Sequence, residues 1–444
     1  MSVLIALGGG IENVPVIQRA KALGCTVLVV DGNAEAPGML IADVPVLASC
    51  YHIEQVLPAL GYALRRSGLM PDGVICAGVD APNVAAVVAS AYRLPGLTPE
   101  AARLSVDKVE QWHKLSGAGL PMPDGSATFY GTVDLPGVGV VPLDLNPYDL
   151  ERWGDVVIKP SDSRGGRGVQ RLKLRPDPND EHEAVFSACA YARQFSTSGK
   201  LLGQKFLDGP QLSTESIVGD GRILFTAIAL RNYDRPDLLP ALVENGFDMP
   251  HGDAALLAEV NDVITRGCAA LGWRTLTVKA DLIIHDGHVV ILELAARLSG
   301  GFLSTHGTRL AYGYDFIGDA IRIALGQPVY VAHSMATAQH VAQRYLFPEP
   351  GDIGRRVVAL KPTLGYESIS VAAVGLNFPL LGDFIQAVDA DFWTYAVRPG
   401  DVLRPVVSHG ERLGQAIATG STPEQARMRA EAAVAAMKGA IVLK

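Results

Sequence analysis

Nowhere does the chain run for about 18 apolar residues without a break, so it lacks a segment long enough to cross a bilayer as a helix. No stretch is strongly basic and the formal net charge is −8, which leaves out the electrostatic footprint of a nucleic-acid binder. Cysteine is sparse: Cys25, Cys50, Cys76, Cys189 and Cys268 are odd in number and scattered, without the close pairing of a zinc or redox motif. They read as small core residues of a protein in a reducing compartment. There is no Walker A phosphate loop, no G-x-S-x-G and no H-E-x-x-H, so P-loop enzymes and the main hydrolase classes lack their residues here. Met1-Ser-Val-Leu-Ile opens as a strand without a basic leader, so no secretory signal is expected and the cytoplasm is the expected location. No internal repeat or low-complexity tract is visible.

What is present fits a large enzyme. The 444 residues suggest two to four domains, and 48% apolar against 19% charged residues leaves ample material for cores. The first hundred residues alternate strand and helix: strands at 3–7, 26–30, 44–47 and 74–77, with a helix at 14–23 closed by Gly24. That alternation implies a parallel sheet. Gly8-Gly9-Gly10 followed about 20 residues later by Asp31 suggests a dinucleotide turn, but the third glycine of G-x-G-x-x-G is missing, which argues against NAD. Residues 131–147 read as a Gly/Pro-rich connection and 175–181 as a loop before a helix at 183–195. A second helix is expected over 253–271. Short strands follow, including 338–347 and 368–374, and a last helix starts where Thr422 can cap, Pro423 fits the first turn and Gln425 can return the capping interaction.

Two segments carry chemistry. The first is Val156-Val-Ile-Lys-Pro-Ser-Asp-Ser-Arg-Gly-Gly-Arg-Gly, a short apolar strand ending on Lys159 and running into a loop with Arg164, Gly165, Gly166, Arg167 and Gly168. Glycine lets a phosphate reach backbone N–H groups, and the lysine and arginines bring positive charge to the same place. The second is Lys279-Ala-Asp-Leu-Ile-Ile-His-Asp-Gly-His-Val-Val-Ile-Leu-Glu-Leu-Ala-Ala-Arg-Leu-Ser-Gly-Gly. Asp286-Gly287 makes a hairpin turn, so Asp281 and Glu293 fall on paired antiparallel strands. Two carboxylates side by side call for a cation, and oxygen-only ligation suits Mg²⁺ bridging nucleotide phosphates. His306, nine residues beyond Arg297, and Arg309 are candidates for a general base and a substrate-carboxylate contact. Arg231-Asn-Tyr-Asp-Arg-Pro-Asp is either a cover for the site or an ordinary solvated loop.

Together these residues resemble the ATP-grasp superfamily, in particular its carboxylate–amine ligases and the subgroup that includes the L-amino-acid ligases. The resemblance covers most of the chain. It implies an α/β and α+β architecture: a Rossmann-like domain over 1–100, a lid-bearing small subdomain over 101–200, a large subdomain with metal-binding acids over 201–332, and a mixed C-terminal domain over 333–444. Lys108 and Lys159 then match the two ATP-contacting lysines, and Ser161, Arg164, Gly165, Gly166, Arg167 and Gly168 the phosphate loop. Gln204, Lys205, Phe206 and Leu207 match the hinge facing adenine, Glu215 the acid near the ribose, Asp281 and Glu293 the metal ligands, and Arg297 the arginine at the transferred phosphoryl group. Where many relatives carry an asparagine two residues after the second acid, this chain has Ala295. The implied cofactors are ATP with Mg²⁺, or Mn²⁺ in its place. The implied partners are a small carboxylate and an amine, with no nucleic acid or membrane, and a homodimer is the assembly to test. The implied reaction activates the carboxylate as an acyl phosphate and joins it to the amine, amino acids being the leading substrates. A purine-biosynthetic or biotin-carboxylase-like enzyme, and a nucleotide-binding regulator without turnover, are the alternatives.

Overall fold

The computed structural model describes residues 1–123, 154–173, 178–329, 339–360 and 390–444, with three short strands between 127 and 141. The readings made above for 368–374, for 175–177 and for most of 131–147 lie outside these residues. Within 131–147, Val133–Leu135 and Gly139–Val141 pair as antiparallel strands.

Four strands, β1 (Val3–Leu7), β2 (Thr26–Asp31), β3 (Val44–Leu47) and β4 (Gly73–Cys76), form a parallel sheet in the order β3-β2-β1-β4. β1 is buried at every position, the pattern of a strand covered on both faces. Helices α1 (Val14–Ala22), α2 (Ile53–Ser67) and α3 (Pro82–Tyr92) supply the covering. The glycine turn after β1 is closed by the chain itself. Asp31 accepts from the Gly9 N–H at 2.7 Å and Gly38 N–H donates to the Gly9 carbonyl at 2.7 Å. The carboxylate that a dinucleotide reading would give to a ribose is thus engaged on the turn.

Helix α4 (Lys108–Gly117) leads into a small antiparallel sheet of β5 (Ala127–Phe129), β6 (Asp155–Pro160), β7 (Gln170–Lys173) and β8 (Leu201–Lys205), ordered β5-β8-β6-β7. Helix α5 (Pro178–Arg193) packs on this sheet. It begins five residues earlier than expected because Pro178 takes a first-turn position, where its missing N–H costs nothing.

The large sheet has eight antiparallel strands: β9 (Gln211–Gly219), β10 (Arg222–Arg231), β11 (Gly246–Met249), β12 (Leu276–His285), β13 (His288–Ala295), β14 (His340–Leu346), β15 (Phe392–Tyr395) and β16 (Gly414–Gly420). Their order is β13-β12-β9-β10-β11-β14-β16-β15. Helix α6 (Ala254–Leu271), capped by Asp253 and ended by Gly272 at φ 74°, buries Val260, Val263, Ile264 and Cys268 against it. Helix α7 (Phe316–Ala324) joins the large sheet to the parallel one, and Arg19 on α1 pairs with Asp315 at the start of α7 at 2.5 Å. The last helix, α8 (Pro423–Ala440), lays Ala426, Ala430, Ala433 and Met437 on Ala342, Leu346, Ala416 and Ala418 of the same sheet. Thr422 caps it by accepting from Gln425 N–H at 3.2 Å, while the Gln425 side chain accepts from Ser421 rather than from the cap residue.

Two expected boundaries run through continuous sheets. Strand β8 belongs with the small sheet although it starts at residue 201, and strands β14 to β16 extend the large sheet across 332/333. Hydrogen bonding between strands distant in sequence leaves no trace in local composition, so neither join was visible beforehand.

Candidate active site

A cleft of about 710 Å³ lies between the small and large sheets and reaches the C-terminal ends of the parallel strands. Its floor is set by the β12–β13 hairpin. Asp286 and Gly287 both have positive φ, 49° and 81°, as the tight hairpin turn requires. Pairing starts at His285 opposite His288, and in that register Asp281 would face Leu292. The register shifts beside Asp281, so that Asp281 stands opposite Glu293 and Lys279 opposite Ala295. Directly opposed residues share a face, so the bulge is what puts both carboxylates on the cleft side. On the neighbouring strand Ser213 stands opposite Asp281 and Glu215 opposite Lys279.

Asp281, Glu293 and Arg297 on this floor each have a counter-charge. Asp281 is bonded by the Lys279 ammonium on one oxygen, and on the other by Arg231 Nη1 at 3.1 Å and Ser213 Oγ at 3.2 Å. Burial alone would raise its pKa, but Lys279, Arg231 and Arg297 outweigh burial and hold the carboxyl well below the usual range. Glu293 pairs with Lys108 Nζ at 3.1 Å, and the same ammonium donates to the Ser163 carbonyl at 2.8 Å, tying α4 to the glycine-rich loop. Burial lowers Lys108, but Glu293 and Asp80 more than compensate and raise it. Lys159, at the end of β6, is pushed down to about 8 by burial and by Lys108, against the pull of Glu293 and Asp281. Arg297 Nε donates to Asp80 at 3.0 Å, which holds the guanidinium charged against burial. Nine basic side chains face five acidic ones around the cleft, an excess of positive charge in a protein whose net charge is −8. Such an excess suits a polyanion.

The loop from Ser163 to Arg167 is folded over the opening. Arg164 stacks on the Tyr51 ring at 3.7 Å, and the Gly165 carbonyl accepts from His409 N–H at 3.0 Å. Gly165 and Gly166 sit at φ 64° and 71°, in the left-handed region that favours glycine. At the other end, Gln204, Lys205, Phe206 and Leu207 border a slot with apolar walls from Val157, Leu207, Ile283 and Leu292.

Of the residues singled out from sequence, Lys108, Lys159, Arg164, Gly165, Gly166, Arg167, Gln204, Lys205, Phe206, Leu207, Asp281, Glu293 and Arg297 line this one cleft. Five lie outside its wall. Ser161 is fully buried and donates to Asp107 at 2.5 Å, fixing the start of α4. Gly168 packs under Pro160, Phe195 and Ala192. Glu215, expected near the ribose, is fully buried outside the cleft wall, its Oε1 accepting from Ser299 N–H at 3.1 Å, and burial pushes it up to about 7; it lies in the row with Lys279. His306 is sealed between Phe302 and Phe392 beside Thr305, and burial pushes it down to about 3, so it is a core histidine rather than a base at the cleft. Arg309 lies beside Pro15, Arg19 and Asp315, away from the cleft. Sequence reasoning missed Asp80, Lys279, Glu244 and Arg412, all of which line the cleft, and left Arg231 undecided. The two-residue spacing of Lys279 and Asp281 on one strand was a usable signal, since period 2 puts both on one face.

Comparison with solved structures decides the fold. The L-amino acid ligase from Bacillus licheniformis superposes with a TM-score of 0.72 at 16% identity, covering 100% of this chain and 98% of the other. The carboxyaminoimidazole ribonucleotide synthase from Aspergillus clavatus, solved with ATP, gives 0.66 at 16%, covering 99% of each. The chain has the ATP-grasp fold. Residues 388–440 match the L-amino acid ligase C-terminal domain 2 family. By sequence it is 27% identical over 239 residues to the uncharacterized protein y4rH of Sinorhizobium fredii, covering 53% of this chain and 45% of that protein. It is 23% identical over 357 residues to carnosine synthase 1 of Gallus gallus, covering 77% of this chain and 37% of that protein. The chain thus spans less than half the length of the curated relatives it matches.

The floor of the cleft offers a metal ion two opposed carboxylates, and among the described residues no group of three or more His, Cys, Asp or Glu comes together. Two carboxylates at the edge of a cationic cleft fit Mg²⁺, which keeps waters and takes phosphate oxygens, and do not fit an all-protein cage. No described helix is long and apolar enough to cross a membrane.

Proposed function

We propose that the protein is an ATP-dependent carboxylate–amine ligase that forms an acyl phosphate and releases ADP and phosphate, with amino acids as its substrates. One observation carries this reading: Lys108, Lys159 and Arg297 converge with the opposed carboxylates Asp281 and Glu293 in a single cleft beneath a glycine- and arginine-bearing loop. Among the described residues the cleft holds no strand-to-helix nucleophile, and the chemistry needs none. A carboxylate oxygen attacks the γ-phosphorus of ATP, the bond to the β-phosphate oxygen breaks, and ADP leaves. The amine then attacks the acyl carbon, the phosphate departs with the former carboxylate oxygen, and the amine nitrogen loses a proton.

The side chains divide that work. Arg164, Arg167 and the Gly165–Gly166 backbone close over the phosphates, and the apolar slot beside Gln204 to Leu207 receives the base. Lys159 and Lys108 meet phosphate charge, and Arg297, braced by Asp80, faces charge that develops on the transferred group and on the acyl carbon's oxygen. Glu293, beside Asp281 on the cleft floor, would hold Mg²⁺ brought in with ATP, and the ion would supply further neutralisation of phosphate charge. The names of the relatives, L-amino acid ligase and carnosine synthase, support amino acids among the substrates. The test is a matrix of carboxylates against amines, scored for ADP release and for the amide by mass spectrometry. The reading expects at least one pair in which amide and ADP form one to one. Amine-independent ADP release with a stable phosphate ester would replace it with a kinase.

A further inference from the structure

The two rows of the sheet that face the cleft differ in one respect. In the row Ser213, Asp281, Glu293 the acids are opposed. In the next row, Glu215, Lys279, Ala295, a lysine occupies the centre and the outer position has no oxygen. Ala295 is buried and small, which leaves the Lys279 side chain room to lean along its strand to Asp281 two residues on. Both oxygens of Asp281 are consequently taken, Oδ2 by Lys279 and Oδ1 by Arg231 and Ser213. Glu293 differs: its ion pair among the described residues is with Lys108 alone, on Oε1 at 3.1 Å.

We propose that Lys279 is a built-in cation of this site, seated on Asp281 where a second divalent ion would otherwise bind, so that the protein takes one metal ion with ATP and holds it through Glu293. An ammonium on one oxygen of Asp281 and a guanidinium on the other already compensate its charge, and both repel a divalent ion approaching the same carboxylate. Displacing Lys279 would leave its charge unpaired in a partly buried site, which carries a desolvation cost. The positive charge that phosphoryl transfer needs on that side is supplied by Lys279 and Arg231, which also line the cleft. Asp281 then positions those two cations.

This inference rests on the reading that the cleft binds Mg-ATP, and the experiment separates the two. With the non-hydrolysable analogue AMP-PNP at saturation, bound Mn²⁺ is counted by the loss of the free-ion electron paramagnetic resonance signal. The intact protein should bind one Mn²⁺ per chain, and Lys279→Met should bind two. Asp281→Asn should still bind one, and Glu293→Gln should lose it, which keeps the question open to test even if Lys279→Met does not fold. Two ions in the intact protein with analogue bound, one ion in a folded Lys279→Met, or loss of the ion in Asp281→Asn would each overturn the proposal. Failure of the intact protein to bind AMP-PNP would instead sink the Mg-ATP reading.

Discussion

Lys159 is the residue whose chemistry is most exposed to pH. Its folded value, about 8, lies below the ~10.4 of an unfolded lysine. Protonated Lys159 therefore weighs against the folded state at neutral pH, and that penalty is relieved as pH rises from about 8 towards ~10.4. Nucleotide binding runs the other way, because phosphate needs the ammonium. The expected dissociation constant for AMP-PNP is flat below about pH 8 and rises up to about tenfold per pH unit above it. Lys159→Arg, which stays charged, should flatten the profile between about pH 7 and 9.5. Isothermal titration calorimetry across that range checks both, and a pH-independent affinity in the unaltered protein would show that Lys159 does not meet the phosphates.

At the scale of elements, the glycine-rich loop and the hairpin were readable because each is a local feature. Asp286-Gly287 between two apolar runs specifies a turn, and three glycines with two arginines after a strand specify a flexible cationic loop. The register was only half readable. The hairpin turn placed Asp281 and Glu293 on paired strands, but it is the bulge at Leu292 that puts them on one face, and nothing in the hairpin's composition announces a bulge. His306 and Glu215 show the same limit: a polar residue in a motif-rich stretch looks functional until burial is known. The loop itself invites a test. A Cβ at Gly165 or Gly166 meets no close atom, the nearest being His409 at 3.9 and 3.5 Å, so the cost of alanine there is conformational. Each left-handed alanine costs roughly 1–2 kcal/mol in the closed loop. The double change Gly165→Ala/Gly166→Ala should weaken AMP-PNP binding at least about tenfold. It should also remove nucleotide protection of 161–168 from limited proteolysis, with the melting temperature of the apo protein nearly unchanged.

Across the whole molecule, the parallel N-terminal sheet and the α8-covered end of the large sheet were foreseen as separate pieces, yet one sheet runs from Glu293 to Thr394 and one core joins α1 to α7. That continuity brings Asp80 from beyond the first sheet onto Arg297, and His409 from the last quarter of the chain onto Gly165, contacts that no local pattern encodes. The cleft assembled this way is the basis for assigning acyl-phosphate chemistry, and trapping the acyl group tests that claim most directly. With Mg-ATP, hydroxylamine and the acid identified by the substrate matrix, the protein should form the hydroxamate in step with ADP, because hydroxylamine attacks an acyl phosphate without needing the amine site. Arg297→Ala should suppress both products. ADP formation on a defined acid with neither hydroxamate nor amide would contradict the account.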